Sequence, residues 1–214
     1  MEITWYGHSC FRLTERKMAT VVTDPYDHQF VGYKPLSLRG DIVSISQATP
    51  GHENVAAVKS KPRVIRGPGE FEIGGVFITA VQTNGRKRNK PDTRNILCVF
   101  DYDGITVAHL GNIRRVPSQS QVEALGTVNI ALVPVGAGNG LNAAKAAEVV
   151  SLLEPGIVIP MHYATPASKI KLESLDKFIK EMGLSSYEPE SSLKITKSAI
   201  PTETKVIVLE YKND

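Results

Sequence analysis

Imidazole titrates near neutrality and binds transition-metal ions through a neutral nitrogen, so histidine is where chemistry is sought first in this chain. There are five histidines. Four of them, His8, His52, His109 and His162, fall at or just beyond short apolar runs that read as strands. Strand ends converge in sheet proteins, which makes these four candidates for one cleft. Each taken alone also has the plainer reading of a packed, hydrogen-bonded histidine. The fifth, His28, sits in the polar run Asp27-His28-Gln29 and reads as exposed.

Three other features could carry chemistry. Glu70 and Glu72 lie two apart on an expected strand and share a face, which suits a general base and a ligand, or simply a solvated strand face opposite Phe71. Cys10, two residues from His8, has the composition of a thiolate and its base, or of a small buried residue on a strand. Gly136-Ala137-Gly138-Asn139-Gly140 follows a strand and precedes a helix. It lacks the dinucleotide spacing and the acidic partner that spacing requires, so it reads as a loop over the cleft.

The elements that must position these residues are short. Ile3 to Tyr6, Phe11 to Leu13, Val21 to Thr23 and Ile42 to Ile45 are β-branched or aromatic and bounded by Gly, Asp or Pro. Val64-Ile65, Phe71 to Ile73, Val76 to Val81, Ile96 to Phe100 and Ile105 to Ala108 continue the pattern, with Asp103-Gly104 as a two-residue hairpin turn. Ser118 and Gln121 form a capping box ahead of a helix ending near Gly126. Strands at Ile130 to Val135 and Ile157 to Ile159 flank a helix capped by Asn142, whose Ala146, Val149, Val150 and Leu153 form one apolar stripe. A further helix with Leu172, Leu175, Phe178, Ile179 and Met182 as its buried face, and a last strand at Val206 to Leu209, complete the chain. A β-rich first part followed by strand–helix alternation predicts a layered α/β protein.

With 214 residues and 42% apolar composition, the chain is long enough to bury a core without a disulfide or structural metal, and one domain over residues 1–214 is expected. Two cysteines, Cys10 and Cys98, are too few for a disulfide framework and fit a reducing, cytoplasmic setting. No run approaches the roughly 18 apolar residues of a membrane span, and no secretory leader pattern opens the sequence. A net charge of +3 is too small to indicate nucleic acid by itself. The one basic concentration, Arg86-Lys87-Arg88-Asn89-Lys90, reads as a solvated loop, because no aromatic residues interleave with its charges to stack on bases.

Five segments in order, Trp5-Tyr6-Gly7-His8-Ser9-Cys10, Thr23-Asp24-Pro25, Asp41 to Ser46, His109-Leu110-Gly111-Asn112 and Pro160-Met161-His162-Tyr163, resemble the landmarks of the metallo-β-lactamase superfamily, nearest to its ascorbate-phosphate-lactonase-like metal-dependent hydrolases. The run from Val133 through Ala143-Ala144-Lys145-Ala146-Ala147 to Tyr163 carries most of the likeness. The resemblance implies a four-layer αββα sandwich with an active cleft along one edge of two sheets. It also implies two metal ions held by an H-x-H-x-D-H loop, whose counterpart here reads Gln47-Ala48-Thr49-Pro50-Gly51-His52. Gln47, Thr49 and Gly51 replace two histidines and the aspartate; Asn112 stands where the bridging aspartate is expected, and His162 matches the last ligand.

That tally argues against a two-metal centre. It leaves one metal, zinc by its all-nitrogen donors, on His52 and His162 with a third donor from His8 or His109, or else no metal. Two functions follow from the resemblance, ahead of a third, nucleic-acid processing, that draws on the superfamily's nucleases and on Arg86 to Lys90. One is a single-metal hydrolase of reduced capacity; the other is a member that has lost catalysis and binds a small anionic ligand or a protein partner through the histidines, Asn112 and the basic loop. His8, His109, Asn112 and Glu70 are the remaining cleft candidates.

Overall fold

Runs of Val, Ile, Thr and aromatic residues suit a pleated, half-buried surface, and a computed structural model describing residues 1–83 and 94–212 puts such runs into thirteen strands. They are β1 (Glu2–Trp5), β2 (Phe11–Thr14), β3 (Val21–Thr23), β4 (Ile42–Ser44), β5 (Arg63–Ile65), β6 (Gly69–Ile73), β7 (Val76–Gln82), β8 (Ile96–Tyr102), β9 (Ile105–His109), β10 (Ile130–Pro134), β11 (Ile157–Met161), β12 (Leu193–Lys194) and β13 (Lys205–Val206). Helices are α1 (His28–Val31), α2 (Gln119–Leu125), α3 (Ala143–Leu153) and α4 (Leu175–Glu181). The basic run Arg86–Lys90 lies outside the described residues.

The strands form two sheets, in the order β12-β1-β2-β3-β4-β5 and β13-β11-β10-β9-β8-β7-β6. Their facing sides share one core, in which Ile3, Trp5, Phe11 and Leu13 of the first sheet pack with Ile78, Phe100 and Val107 of the second. The apolar stripe of α3 and the buried face of α4 join that core from outside the second sheet. A smaller cluster, Val22, Val43, Tyr26, Val31 and Tyr33, lies outside the first sheet. The layering is the αββα sandwich expected, but the layer over the first sheet is almost all loop, with α1 only four residues long. No helix among the described residues is long and apolar enough to cross a membrane.

Strand direction decides where chemistry can gather. β1–β2 and β2–β3 are antiparallel and β3–β4 is parallel, so β1, β3 and β4 run the same way. β9, β10 and β11 are mutually parallel. The chain leaves the carboxyl ends of these six strands through His8, Asp24, Ser46, His109, Gly136 and His162, and in α/β sheets such ends are where ligand clefts form.

Local signals hold well. The Ser118–Gln121 capping box is present with both bonds made, and Asn142 caps α3 through the Lys145 N–H. Asp103 and Gly104 both have positive φ, as a two-residue hairpin turn of this hand needs. Three expectations shift. α4 starts at Leu175 and leaves Leu172 outside, because Glu173 N–H donates to Gly136 O and Glu173 O accepts from Ala164 N–H, pinning this segment to the exit of β10. The last strand forms a ladder only at Lys205–Val206, with one isolated bridge further on between Leu209 and Glu190. His28 opens α1 rather than lying in a loop, with its side chain 41% exposed.

Candidate metal centre

Three of the four expected histidines meet. His8 follows β1, His162 follows β11, and His52 ends the loop after β4; their ring centroids stand 4.3 Å (His8–His162), 5.0 Å (His8–His52) and 6.0 Å (His52–His162) apart. One nitrogen from each lies within 4.8 Å of the others. All three side chains are buried at the base of a cleft of about 480 Å³. Backbone geometry aims two of them: His8 (φ 51°) and His162 (φ 54°) sit in the left-handed region, uncommon for a side-chain-bearing residue and found where the surrounding structure over-determines it. The His8 carbonyl fixes both, accepting from the Trp5 indole N–H at 3.2 Å and from the His162 N–H at 3.0 Å.

His52 is held by a residue that the sequence reading named only within the landmark Thr23-Asp24-Pro25 and gave no role. Asp24, fully buried and also at positive φ (40°), lies 2.9 Å from His52 Nδ1 and accepts from the Ser46 N–H at 2.7 Å and the Ser46 hydroxyl at 2.5 Å. Burial pushes its carboxyl up, but the His52 ring with its hydrogen bond, His109 and Ser46 outweigh that and hold it below the usual carboxylate range. A carboxylate only accepts, so the shared proton is on His52 Nδ1 and the Nε2 lone pair is left for the cleft. The available signal was a carboxylate directly after the strand Val21–Thr23 and ahead of Pro25.

The other rings are poised as neutral bases. Burial, followed by the neighbouring His162 and His52, pushes the His8 pKa well below its ordinary value, and burial with His52 lowers His162 to about 3. His8 Nδ1 and His162 Nδ1 are buried and have no hydrogen-bond partner among the described residues. Gly51 gives His8 its room: a Cβ there would stand 3.0 Å from His8 Nε2. Where the resemblance expects an aspartate at 51, the imidazole of His8 occupies the space instead.

Three candidates fall away from this cluster. His109, expected as a possible third donor, is buried in the core with Nε2 2.9 Å from Ser9 O and 4.0 Å from Asp24 Oδ2, and it packs edge-on against Phe11; its ring faces the support of the site, outside the cleft lining. Glu70 is exposed on β6, the edge strand, and does not line the cleft; it and Glu72 are the solvated face. Cys10 is fully buried and its thiol is pushed well up by burial and by Asp24, which is wrong for a nucleophile. Asn112 does line the cleft, on a loop that Asn95 holds by accepting from the Asn112 N–H at 2.9 Å and donating to Leu110 O at 3.1 Å. Gly138 and Asn139 line it too, as the glycine-rich loop was expected to do.

The perturbed groups act in one direction on stability. A histidine depressed in the fold binds a proton more readily when unfolded, so its contribution is complete above about pH 6.5 and is lost as pH falls toward the folded value. Asp24, depressed as a carboxylate, adds loss at still lower pH. Chelator-treated protein is therefore expected to melt at progressively lower temperature between pH 7 and 5, and less steeply in His162→Leu. A flat profile by calorimetry contradicts the burial of these rings.

Residues 2–162 match the model of the β-lactamase superfamily domain. The chain belongs to that superfamily. A crystal structure from the metallo-β-lactamase superfamily, from Thermotoga maritima, is 36% identical and covers 97% of each chain with a TM-score of 0.79. Among curated relatives, a UPF0173 protein of Pyrococcus abyssi is 28% identical over 185 residues, covering 77% of this chain and 84% of its own. A UPF0173 metal-dependent hydrolase of Thermoplasma acidophilum is 26% identical over 190 residues with the same coverage. The chain thus has the metallo-β-lactamase fold and has relatives named metal-dependent hydrolases, and the three-histidine cluster lies at the sheet edge where the resemblance put its cleft.

Proposed function

We propose that this metallo-β-lactamase-fold protein is a hydrolase that works with one divalent metal ion, held by His8, His52 and His162, on small anionic esters, lactones or phosphoesters. The observation that carries the reading is the donor set: three buried imidazoles, two depressed in pKa and each with an orphaned nitrogen, the third with its free Nε2 set by Asp24. Uncharged nitrogen donors suit zinc or another borderline ion better than magnesium. Such an ion, when bound, lowers the pKa of a coordinated water and polarises a carbonyl or phosphoryl oxygen.

The chain's own residues supply orientation. The cleft is lined by Arg114 and Lys171 and, among the described residues, by no carboxylate, so an anionic group is drawn in and a cationic one excluded. Gln47 Nε2 and Asn112 Oδ1 are buried, without partners, and line the same cleft, offering one donor and one acceptor for a polar substrate. Asp24 is committed to His52 and Ser46 and does not reach the substrate.

With no cleft carboxylate to protonate a departing alkoxide, good leaving groups are favoured. An aryl ester is expected to turn over at least about 100-fold faster than the matching alkyl ester, beyond their ratio in free solution, the general-acid contribution being on the order of 10² or more. Equal enzyme-specific acceleration of both esters contradicts this. The reading as a whole is tested by metal analysis of protein purified without chelator. Close to one equivalent of zinc, lost with p-nitrophenyl ester hydrolysis in His52→Ala and His162→Ala, is the expected result. Metal far below one equivalent, unchanged by either substitution, overturns it. That outcome favours the second reading, a non-catalytic binder of small anions, to which Gln47, Thr49 and Gly51 at the family's ligand positions and the cationic lining point.

A further inference from the structure

A second cavity, of about 440 Å³, lies behind the metal centre and shares no lining residue with the histidine cleft. It is walled by aromatic rings from separate parts of the chain, Trp5 at the end of β1, Tyr163 just after β11, Tyr187 beyond α4 and Tyr211 near the C-terminus. Trp5 is the hub, 5.2 Å from the Tyr163 ring and 5.9 Å from that of Tyr211, the latter edge-on. Asp176, in the first turn of α4, and Glu210 stand at the same cavity, both exposed, and neither has an ion-pair partner among the described residues. Among the described residues, no lysine or arginine lines it.

Tyr163 adds a polar group to the same wall. Its side chain is only 7% exposed, yet its hydroxyl has no hydrogen-bond partner among the described residues. The hydroxyl oxygen keeps contact with solvent in the cavity, so it is open to a bond from an occupant. Aromatic walls attract cations through their ring faces, carboxylates accept strong charge-assisted hydrogen bonds, and a phenol oxygen accepts one more. Together they match an N–H-bearing cation with an apolar body.

We propose that this cavity binds a small organic ammonium ion with an aromatic or aliphatic body, its N–H groups donating to Asp176, Glu210 and the Tyr163 oxygen while its body lies against Trp5 and Tyr211. The cavity volume falls in the range of small-molecule sites. The opposite charge preference of the histidine cleft makes the two sites chemically distinct. Because the Trp5 indole also holds the His8 carbonyl, an occupant rests against a residue that braces the metal centre.

The test uses the full chain treated with chelator, so that an amine cannot report through a metal. 2-Phenylethylamine, protonated at neutral pH, is titrated against its neutral isostere 2-phenylethanol. Binding is followed by calorimetry and by the fluorescence of Trp5, the single tryptophan. The ammonium ion is expected to bind at least about tenfold more tightly than the alcohol, a difference of about 1.4 kcal/mol. Asp176→Asn with Glu210→Gln, both at exposed positions that preserve the fold, should bring the two ligands level, and Tyr163→Phe should weaken the amine severalfold. Equal affinity for amine and alcohol overturns the proposal, as does the absence of saturable amine binding up to about 10 mM, or amine binding that the carboxylate substitutions leave unchanged. None of these outcomes depends on whether the histidine cleft holds metal or hydrolyses esters.

Discussion

Asp24→Ala is expected to cost about 3–5 kcal/mol of folding stability and to abolish stoichiometric metal binding. The side chain is fully buried, and its two oxygens serve three donors: His52 Nδ1, the Ser46 N–H and the Ser46 hydroxyl. Deletion leaves the His52 N–H and the Ser46 backbone N–H buried without acceptors, and each lost partner costs on the order of 1–3 kcal/mol. It also frees the His52 ring to rotate or change tautomer, which moves the Nε2 lone pair away from His8 and His162. Asp24→Asn keeps one acceptor oxygen and should fall between wild type and alanine. Urea denaturation and metal analysis check the two effects separately. A loss under about 1 kcal/mol with metal retained would show that the carboxylate does not organise the centre.

Gly136→Ala is expected to be comparably damaging, for a steric reason. A Cβ at 136 would stand 2.2 Å from His162 O and 2.6 Å from Tyr163 Cα, both backbone atoms with little freedom to yield. Gly136 N–H also donates to His162 O at 3.1 Å, and its carbonyl accepts from Glu173. Making room separates the ends of β10 and β11 and carries His162 out of the cluster. The expected cost is about 3 kcal/mol, with metal affinity lost alongside. Gly67→Ala, where an added Cβ meets nothing within 4 Å, is the control and should melt with the wild type. Wild-type stability and metal content in Gly136→Ala would mean that the strand ends can part without cost.

Both predictions concern residues whose importance is invisible along the chain. Asp24 appears along the chain only as part of the landmark Thr23-Asp24-Pro25, and Gly136 as one of three glycines in a loop. Their roles arise because the exits of β3 and β10 are brought against other strand ends. The same holds for His8 and His109. The sequence offers either as a third donor, and both come at or just beyond a strand end, but His8 follows β1 at positive φ toward the space that Gly51 leaves. His109 remains within the last residue of β9 and turns to Ser9. Spacing along the chain has no access to that difference, which depends on a single backbone dihedral and on the packing of a distant loop.

By itself, the sequence determined the layered α/β class, the position of most strands, the caps of α2 and α3, and the pairing of His52 with His162 in one cleft. The class, strands and caps follow from local rules, period-two apolar runs and capping side chains that find donors within three residues, while the pairing of His52 with His162 came with the family resemblance. Tertiary structure alone decided which third imidazole completes the cluster, that Asp24 fixes its tautomer, and that Glu70 is only an edge-strand carboxylate. It also decided that an aromatic, acid-rimmed cavity forms from residues as far apart as Trp5 and Tyr211. Those outcomes rest on contacts between segments distant in sequence, set by sheet order and strand direction, and no local preference of the chain encodes them.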